Sequence, residues 1–296
     1  MASALVDVNV NYFLPPADGS KPYTWTTADH PGGGPMRNWE PASFGVQAEN
    51  VRGHENEYTL DTAGFQFHNM PSKGTDFDNE ESIKKTYYEE SIQNIRDITG
   101  ASRVVIFDHT LRKPRPAGTP ETPETRGPVQ FVHVDQASPY RHNARIHIIY
   151  FRSQSAEAAA NRVHRHLPAE DVPDLLSKRY QIINLWRPIH NPAWQFPLAL
   201  CDFRSVNDKI PGGDFIPSTL KYVDRDGETL GVKYSDTHRW KYLGGMTPDE
   251  FVLIKCFDSK PGVATFTPHT AIEDPTTPSD APGRQSIELR TLVFYD

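Results

Sequence analysis

Cysteine is nearly absent: the chain of 296 residues has two, Cys201 and Cys256. That is too few for a disulfide framework, and the spacing fits no zinc motif. Positive charge does not dominate. With 31 Lys+Arg against 38 Asp+Glu the net charge is -7, which disfavours a chain-wide grip on nucleic acid or anionic lipid. No run of 18 apolar residues occurs, so no membrane-spanning helix is expected. Met1–Ser20 lacks a basic stretch followed by an apolar one, so no secretory signal is expected. The sequence reads as a soluble, cytoplasmic protein of a reducing compartment, without internal repeats at a period of about 20–50 residues.

What is plentiful is proline, with 26 residues, and histidine, with 12. Proline interrupts helices and central strands, so many short elements and long loops follow. Hydrophobic residues at 37% still supply a core. Val6, Val8, Val10 and Tyr12 alternate with Asp7, Asn9 and Asn11, the period-2 signature of a half-buried strand. Strand-like pieces recur at Glu57–Leu60, Gly64–His68 and Arg103–Phe107. A helix is predicted over Glu80–Ile98, with Asn79 as N-cap and Gly100 past its end. A second helical region spans Glu157–Lys178, broken at Pro168 and Pro173. From residue 180 the text is mostly strand: Gln181–Trp186, Leu198–Phe203, Thr219–Val223, Thr229–Tyr234, Phe251–Phe257 and Gln285–Tyr295, with Asp226-Gly227 as a hairpin turn. The pattern predicts a mainly β protein with flanking helices and a barrel or jelly-roll core. No linker divides it. A single domain over 1–296 is expected, with N-terminal flanking elements in 1–127 and the core barrel in 128–296.

The sharpest local feature is Phe131-Val132-His133-Val134-Asp135. Residues i and i+2 of a strand share a face, so the His133 imidazole and the Asp135 carboxylate can share one metal ion. His269, in Thr267-Pro268-His269-Thr270, is the candidate third ligand. Two histidines and one carboxylate on one side of an ion form the facial triad of non-haem Fe(II) oxygenases and leave neighbouring positions open. Downstream, Arg284 precedes a strand carrying Ser286, Glu288 and Arg290 on one face. A guanidinium with a nearby hydroxyl suits a carboxylate ligand. The bland alternative is a surface pair of Glu288 with Arg284 or Arg290.

The set His133-X-Asp135, His269 and Arg284-X-Ser286 resembles the Fe(II)/2-oxoglutarate-dependent dioxygenase superfamily. Arg37-Asn38-Trp39-Glu40-Pro41, Asn184-Leu185-Trp186-Arg187-Pro188, Pro268-His269-Thr270 with Asp274-Pro275, and Arg284 to Arg290 narrow the resemblance. They are similar to the fungal hydroxylase/desaturase family, of gibberellin-desaturase and cephamycin-methoxylation type. The resemblance covers most of the chain. It implies a double-stranded β-helix with Fe(II) on His133, Asp135 and His269, and 2-oxoglutarate and O2 as co-substrates. The substrate implied is a small natural product, oxidised at an unactivated carbon by hydroxylation, desaturation, cyclisation or endoperoxide formation. Arg284 and Ser286 would bind the distal carboxylate of 2-oxoglutarate, with Arg290 and Arg187 as alternative holders. Two other readings stand beside it: a cupin-like metal-binding protein without redox turnover, and a zinc-dependent hydrolase. A homodimer is left open.

Other residues carry weaker expectations. Trp186 either walls a pocket or packs in the core beside a snorkelling Arg187. His142 and His147 read as exposed or satisfied, and His164 and His166, with Arg162 and Arg165, as a solvated helix face. Lys113–Gly127 is a loop before the metal strand, a lid or plain coil. Phe65, Phe67, Tyr140 and Trp240 fit a pocket wall or the core equally. Cys201 and Cys256 are expected to be buried, inert thiols.

Overall fold

The computed structural model describes residues 4–27, 30–114, 127–135, 150–209, 212–224 and 226–296, with backbone alone at 150–155 and 227–228. Alternation builds the first strand. In β1 (Ala4–Leu14), Val6, Val8, Val10 and Tyr12 are buried while Asp7 and Asn9 are exposed. Each buried valine contributes about 1.5–3 kcal/mol over an exposed one. A short β2 (Tyr23–Trp25) and a long β3 (Glu40–Asn50) follow. β3 pairs antiparallel with β1 along its whole length. It escaped the sequence reading because Pro41 and Gly45, both disfavoured in strands, interrupt it and its apolar residues are mostly only half-buried.

Glu57–Leu60 is not a strand. A 3-10 turn occupies Glu55–Glu57, and the Thr59 carbonyl then accepts from Thr62, Ala63 and Gly64, which winds the segment into a turn. β4 (Phe65–Asn69) follows as expected. Helix α1 runs over residues 80–99, with a π-helical stretch at Ile83–Tyr87. Asn79 Oδ1 accepts from the Glu81 and Ser82 amides, so the cap is as expected. Ile83, Tyr87 and Ile95 are buried. Next come β5 (Arg103–Arg112) and the two-residue β6 (His133–Val134). α2 (Tyr150–His166) begins earlier than the sequence suggested. α3 (Val172–Ser177) is separate, and Pro173 lies in its first turn, where a missing N–H costs nothing.

The remaining strands are β7 (Tyr180–Pro188), β8 (Leu198–Cys201), β9 (Phe215–Lys221), β10 (Asp226–Val232), β11 (Trp240–Tyr242), β12 (Glu250–Asp258), β13 (His269–Ala271) and β14 (Ser286–Phe294). β9 and β10 form the expected hairpin, but Asp226 pairs with Lys221, so Asp226-Gly227 opens β10 and is not the turn. Nine strands make one mixed sheet in the order β1-β3-β11-β8-β13-β6-β10-β9-β2. Five make a second, antiparallel sheet, β4-β12-β7-β14-β5. The two face each other as a jelly roll. Strands from residues before 127 enter both sheets. One side of the second sheet, with Leu185 and Leu289, packs with Ile83 and Ile95 of α1. Among the described residues no helix is long and apolar enough to cross a membrane.

Candidate metal centre

The site forms where β6 and β13 pair inside the nine-stranded sheet. His133 and His269 stand directly opposite each other in antiparallel register. Their ring centroids are 4.3 Å apart. Asp135, two residues beyond His133, turns to the same face. Its Oδ1 lies 3.9 Å from His133 Nε2, and its Oδ2 3.8 Å from His269 Nε2. One ligand atom from each of the three falls within 4.8 Å of the others. The triad expected from sequence is thus brought together.

Both rings are oriented by the backbone. His133 Nδ1 lies 2.9 Å from the Phe131 carbonyl oxygen and His269 Nδ1 lies 3.0 Å from that of Thr267. A carbonyl only accepts, so each Nδ1 carries the proton and each Nε2 keeps its lone pair for an ion. The loop before His269 is fixed in turn by Gly64. Its carbonyl accepts from Thr267 Oγ1 at 2.6 Å, and at φ +87° a Cβ there would sit 2.5 Å from that hydroxyl.

Electrostatics match the geometry. Burial, then the neighbouring His269, hold His133 down to about 4, so its imidazole is neutral at physiological pH. Burial alone would raise Asp135, but His269, His133 and Arg290 override it and hold the carboxyl at about 2. A neutral nitrogen and an ionised carboxylate are the forms a metal binds.

The second sheet supplies the opposite wall. Asn184 of β7 donates from Nδ2 to Asp135 Oδ2 at 2.7 Å. In register with it stand Trp186 on β7, Glu288 and Arg290 on β14, and Thr110 on β5. Burial and then Asp135 raise the Glu288 carboxyl, while Arg290 opposes them. Sequence reasoning missed the part Asn184 plays. The signal available was an amide within the apolar run from Ile182 to Trp186, two residues from Trp186. It missed Arg112 too, which sits opposite Ser286 at the end of β5.

The arginines fall in three different places. Arg284 is 4% exposed. It donates from Nη1 to the Phe196 carbonyl and lies 5.5 Å over the Trp186 ring. Its Nε has no partner, and no ion pair with an acid is found for it among the described residues. Burial and then Arg112 push it down to about 9. Ser286 Oγ is also buried without a partner. Arg290 is instead held by Asp108 at 2.9 Å, Thr110 at 2.8 Å and Glu288 at 2.9 Å. Arg187 points to the other side of β7. There it donates to the Pro248 and Met70 carbonyls beside the rings of Tyr87 and Phe251.

Several lesser expectations change. His166 is half-buried and stacks 4.8 Å from Phe107, and Arg162 lies over the same ring, so that helix face is not fully solvated. Phe65, Phe67 and Trp240 are core residues. Cys201 and Cys256 are buried free thiols, and burial pushes Cys201 up to about 12 and Cys256 well above its ordinary value. Tyr140, His142 and His147 lie outside the described residues, as does most of the loop Lys113–Gly127.

The chain matches the oxidoreductase/YMDC permease-like domain family over residues 10–152 and 143–294. It is 32% identical to the hydroxylase/desaturase efuI of Hormonema carpetanum, over 99% of this chain and 96% of that one. It is 28% identical to the Fe(II)/2-oxoglutarate-dependent dioxygenase nvfI of Aspergillus novofumigatus, over 87% of this chain and 84% of that one. A solved structure of the iron and alpha-ketoglutarate-dependent endoperoxidase NvfI superposes with a TM-score of 0.81 at 24% identity, covering 100% of this chain and 99% of that one, and has the same fold. These findings favour an oxygenase over a cupin-like binding protein or a zinc hydrolase. The chain belongs to the hydroxylase/desaturase family and is an Fe(II)/2-oxoglutarate-dependent dioxygenase.

Proposed function

We propose that His133, Asp135 and His269 hold Fe(II), that Arg284 and Ser286 receive the distal carboxylate of 2-oxoglutarate, and that the whole chain, 1–296, works as one oxygenase domain on a small, largely apolar natural product. The observation that carries this is the pairing of a three-ligand cluster with two orphaned polar atoms, Arg284 Nε and Ser286 Oγ. A buried guanidinium without an acid partner is costly unless an anion completes it. The donor set fits iron: two imidazoles and one carboxylate on one side of an ion, with no thiolate among them.

When bound, the iron and 2-oxoglutarate supply an oxidant able to attack an unactivated C–H bond, with O2 consumed and succinate and CO2 released. The protein's own residues do the rest. The Phe131 and Thr267 carbonyls keep both imidazoles in the metal-binding tautomer. Asn184 orients the Asp135 carboxylate. Trp186 stacks under the Arg284 guanidinium and keeps water from it. Whether the product is an alcohol, an alkene, a new ring or an endoperoxide depends on where the substrate carbon is held.

The test is anaerobic addition of Fe(II) and 2-oxoglutarate to the metal-free protein. A visible metal-to-ligand charge-transfer band is expected in wild type and absent in His133→Ala. Reactivation by Zn(II) as well as by Fe(II), or a band that survives in His133→Ala, counts against the assignment.

A further inference from the structure

The stretch Arg37-Asn38-Trp39-Glu40-Pro41 has no part in holding the metal or its co-substrate, yet it reaches the site. Trp39 is 6% exposed. Its indole Nε1–H donates to Thr24 Oγ1 at 2.7 Å, and the Arg37 guanidinium covers its ring at 4.6 Å. Asn38 pins the preceding loop: its Oδ1 accepts from the Tyr23 amide at 2.7 Å, and its Nδ2 donates to the Lys21 carbonyl at 3.1 Å. So fixed, Trp39 braces two phenylalanines. Phe13 packs 4.6 Å away, and Phe131 lies edge-on at 5.7 Å. Phe13 is seated in its turn by Gly231, where a Cβ would come within 2.4 Å of the Phe13 ring. Gly231 is the register partner of His133.

The far end of this stack is Phe131. Its ring is 5.6 Å from that of His133, and its carbonyl fixes the His133 tautomer. Phe131 pairs with Asn11 in a single bridge just before β6, and its ring contact with His133 sets it beside the two imidazoles. Phe13 and Trp39 are buried, whereas Phe131 is 37% exposed. An aromatic ring braced from behind, held in one pose and left open in front beside a metal ligand is a contact surface for a bound molecule.

We infer that Phe131 is a substrate-contact residue, that Trp39 is the positioning residue that aims it, and that the substrate lays an uncharged fused-ring face on Phe131 within reach of the metal. The inference rests on the oxygenase reading of the triad. It adds a specificity determinant, because a straight acyl chain or a peptide gains little from a single flat ring.

The experiment uses the full chain, anaerobic, loaded with Fe(II) and 2-oxoglutarate. It is titrated with two fused-ring ketones, progesterone and 1-tetralone, and with stearate and trialanine. Quenching of tryptophan fluorescence and displacement of the charge-transfer band are read together. At least one ketone is expected to saturate both signals, and stearate and trialanine neither. Phe131→Ala should weaken the ketone about tenfold and Phe131→Leu by about threefold. Trp39→Leu should weaken it through Phe131, so that the double variant with Phe131→Ala is no worse than Phe131→Ala alone. The band before probe addition shows whether each variant loads metal and co-substrate. Lost ketone binding with that band intact is therefore a lost substrate contact and not a damaged site. Equal ketone binding by Phe131→Ala, no ketone binding by wild type, or preference for stearate or trialanine overturns the inference. Absence of the band in wild type sinks the oxygenase reading instead, and fluorescence alone then decides whether Phe131 contacts the ring.

Discussion

Asn184 and Asp135 come from opposite sheets, and the amide of one donates to the carboxylate of the other at 2.7 Å. This bond ties the wall that carries Arg284 to the strand pair that carries the histidines. The amide's single oxygen, Asn184 Oδ1, is buried without a partner, so the amide spends its donor on the Asp135 carboxylate and leaves its acceptor unused. Replacing Asn184 with Leu should free the Asp135 carboxylate to rotate and lower metal affinity about 10- to 100-fold. Titration of the metal-free protein with Co(II), followed by absorbance, checks it.

Arg284→Gln should weaken 2-oxoglutarate at least about 30-fold while leaving metal binding near wild type, because the proposed charge-assisted contact to the distal carboxylate is lost. Arg290→Gln should behave differently. It strips Asp108 and Glu288 of their counter-ion and lowers thermal stability before it affects co-substrate affinity. Separate titrations of Fe(II) and 2-oxoglutarate, alongside a melting curve, distinguish the two.

Lys255 and Asp258 are both fully buried at their side chains and pair directly, with Asp61 and Arg179 around them. Burial pulls the Lys255 ammonium below its ordinary value, and the two acids hold it charged. Asp258→Ala therefore leaves a buried cation with only a part-exposed partner and should cost about 3–5 kcal/mol. Lys255→Met combined with Asp258→Leu should recover much of that loss. Urea denaturation of the three proteins gives the answer.

Burial lowers His68 to about 4, and its Nε2 has no partner. The unfolded chain binds a proton on this ring below about pH 6.5, and the folded protein refuses it until about pH 4. Stability should therefore fall as pH drops through that window, by about 1–3 kcal/mol once partial exposure is allowed for. His68→Phe should flatten this part of the pH–stability profile. A profile with the wild-type slope would assign the loss to other groups.

Much of this was readable from the chain. The alternation of β1 and the capped helix α1 are period signals, and His133-X-Asp135 declares its shared face through the two-residue repeat. What stayed hidden was hidden for physical reasons. β3 takes its place from the long register with β1 and not from its own composition. Arg187, Arg284 and Arg290 are chemically identical in sequence. Only their burial and partners separate one that meets two carbonyls, one that meets acids and one that meets a single carbonyl beside Trp186. Asn184 lies in a strand buried on both sides, where nothing local tells which neighbour its amide will find. Arg162 and His166 looked solvated because the aromatic ring beneath them, Phe107, belongs to a strand far away in the chain.

The cross-strand opposition of the two imidazoles has a consequence for assembly. Sliding β13 by a single residue against β6 would send one ring to the far side of the sheet. With the proposed ligands, a single alignment of these distant segments brings both imidazoles to the ion, so metal occupancy would report faithful zippering of the barrel as well as readiness for chemistry.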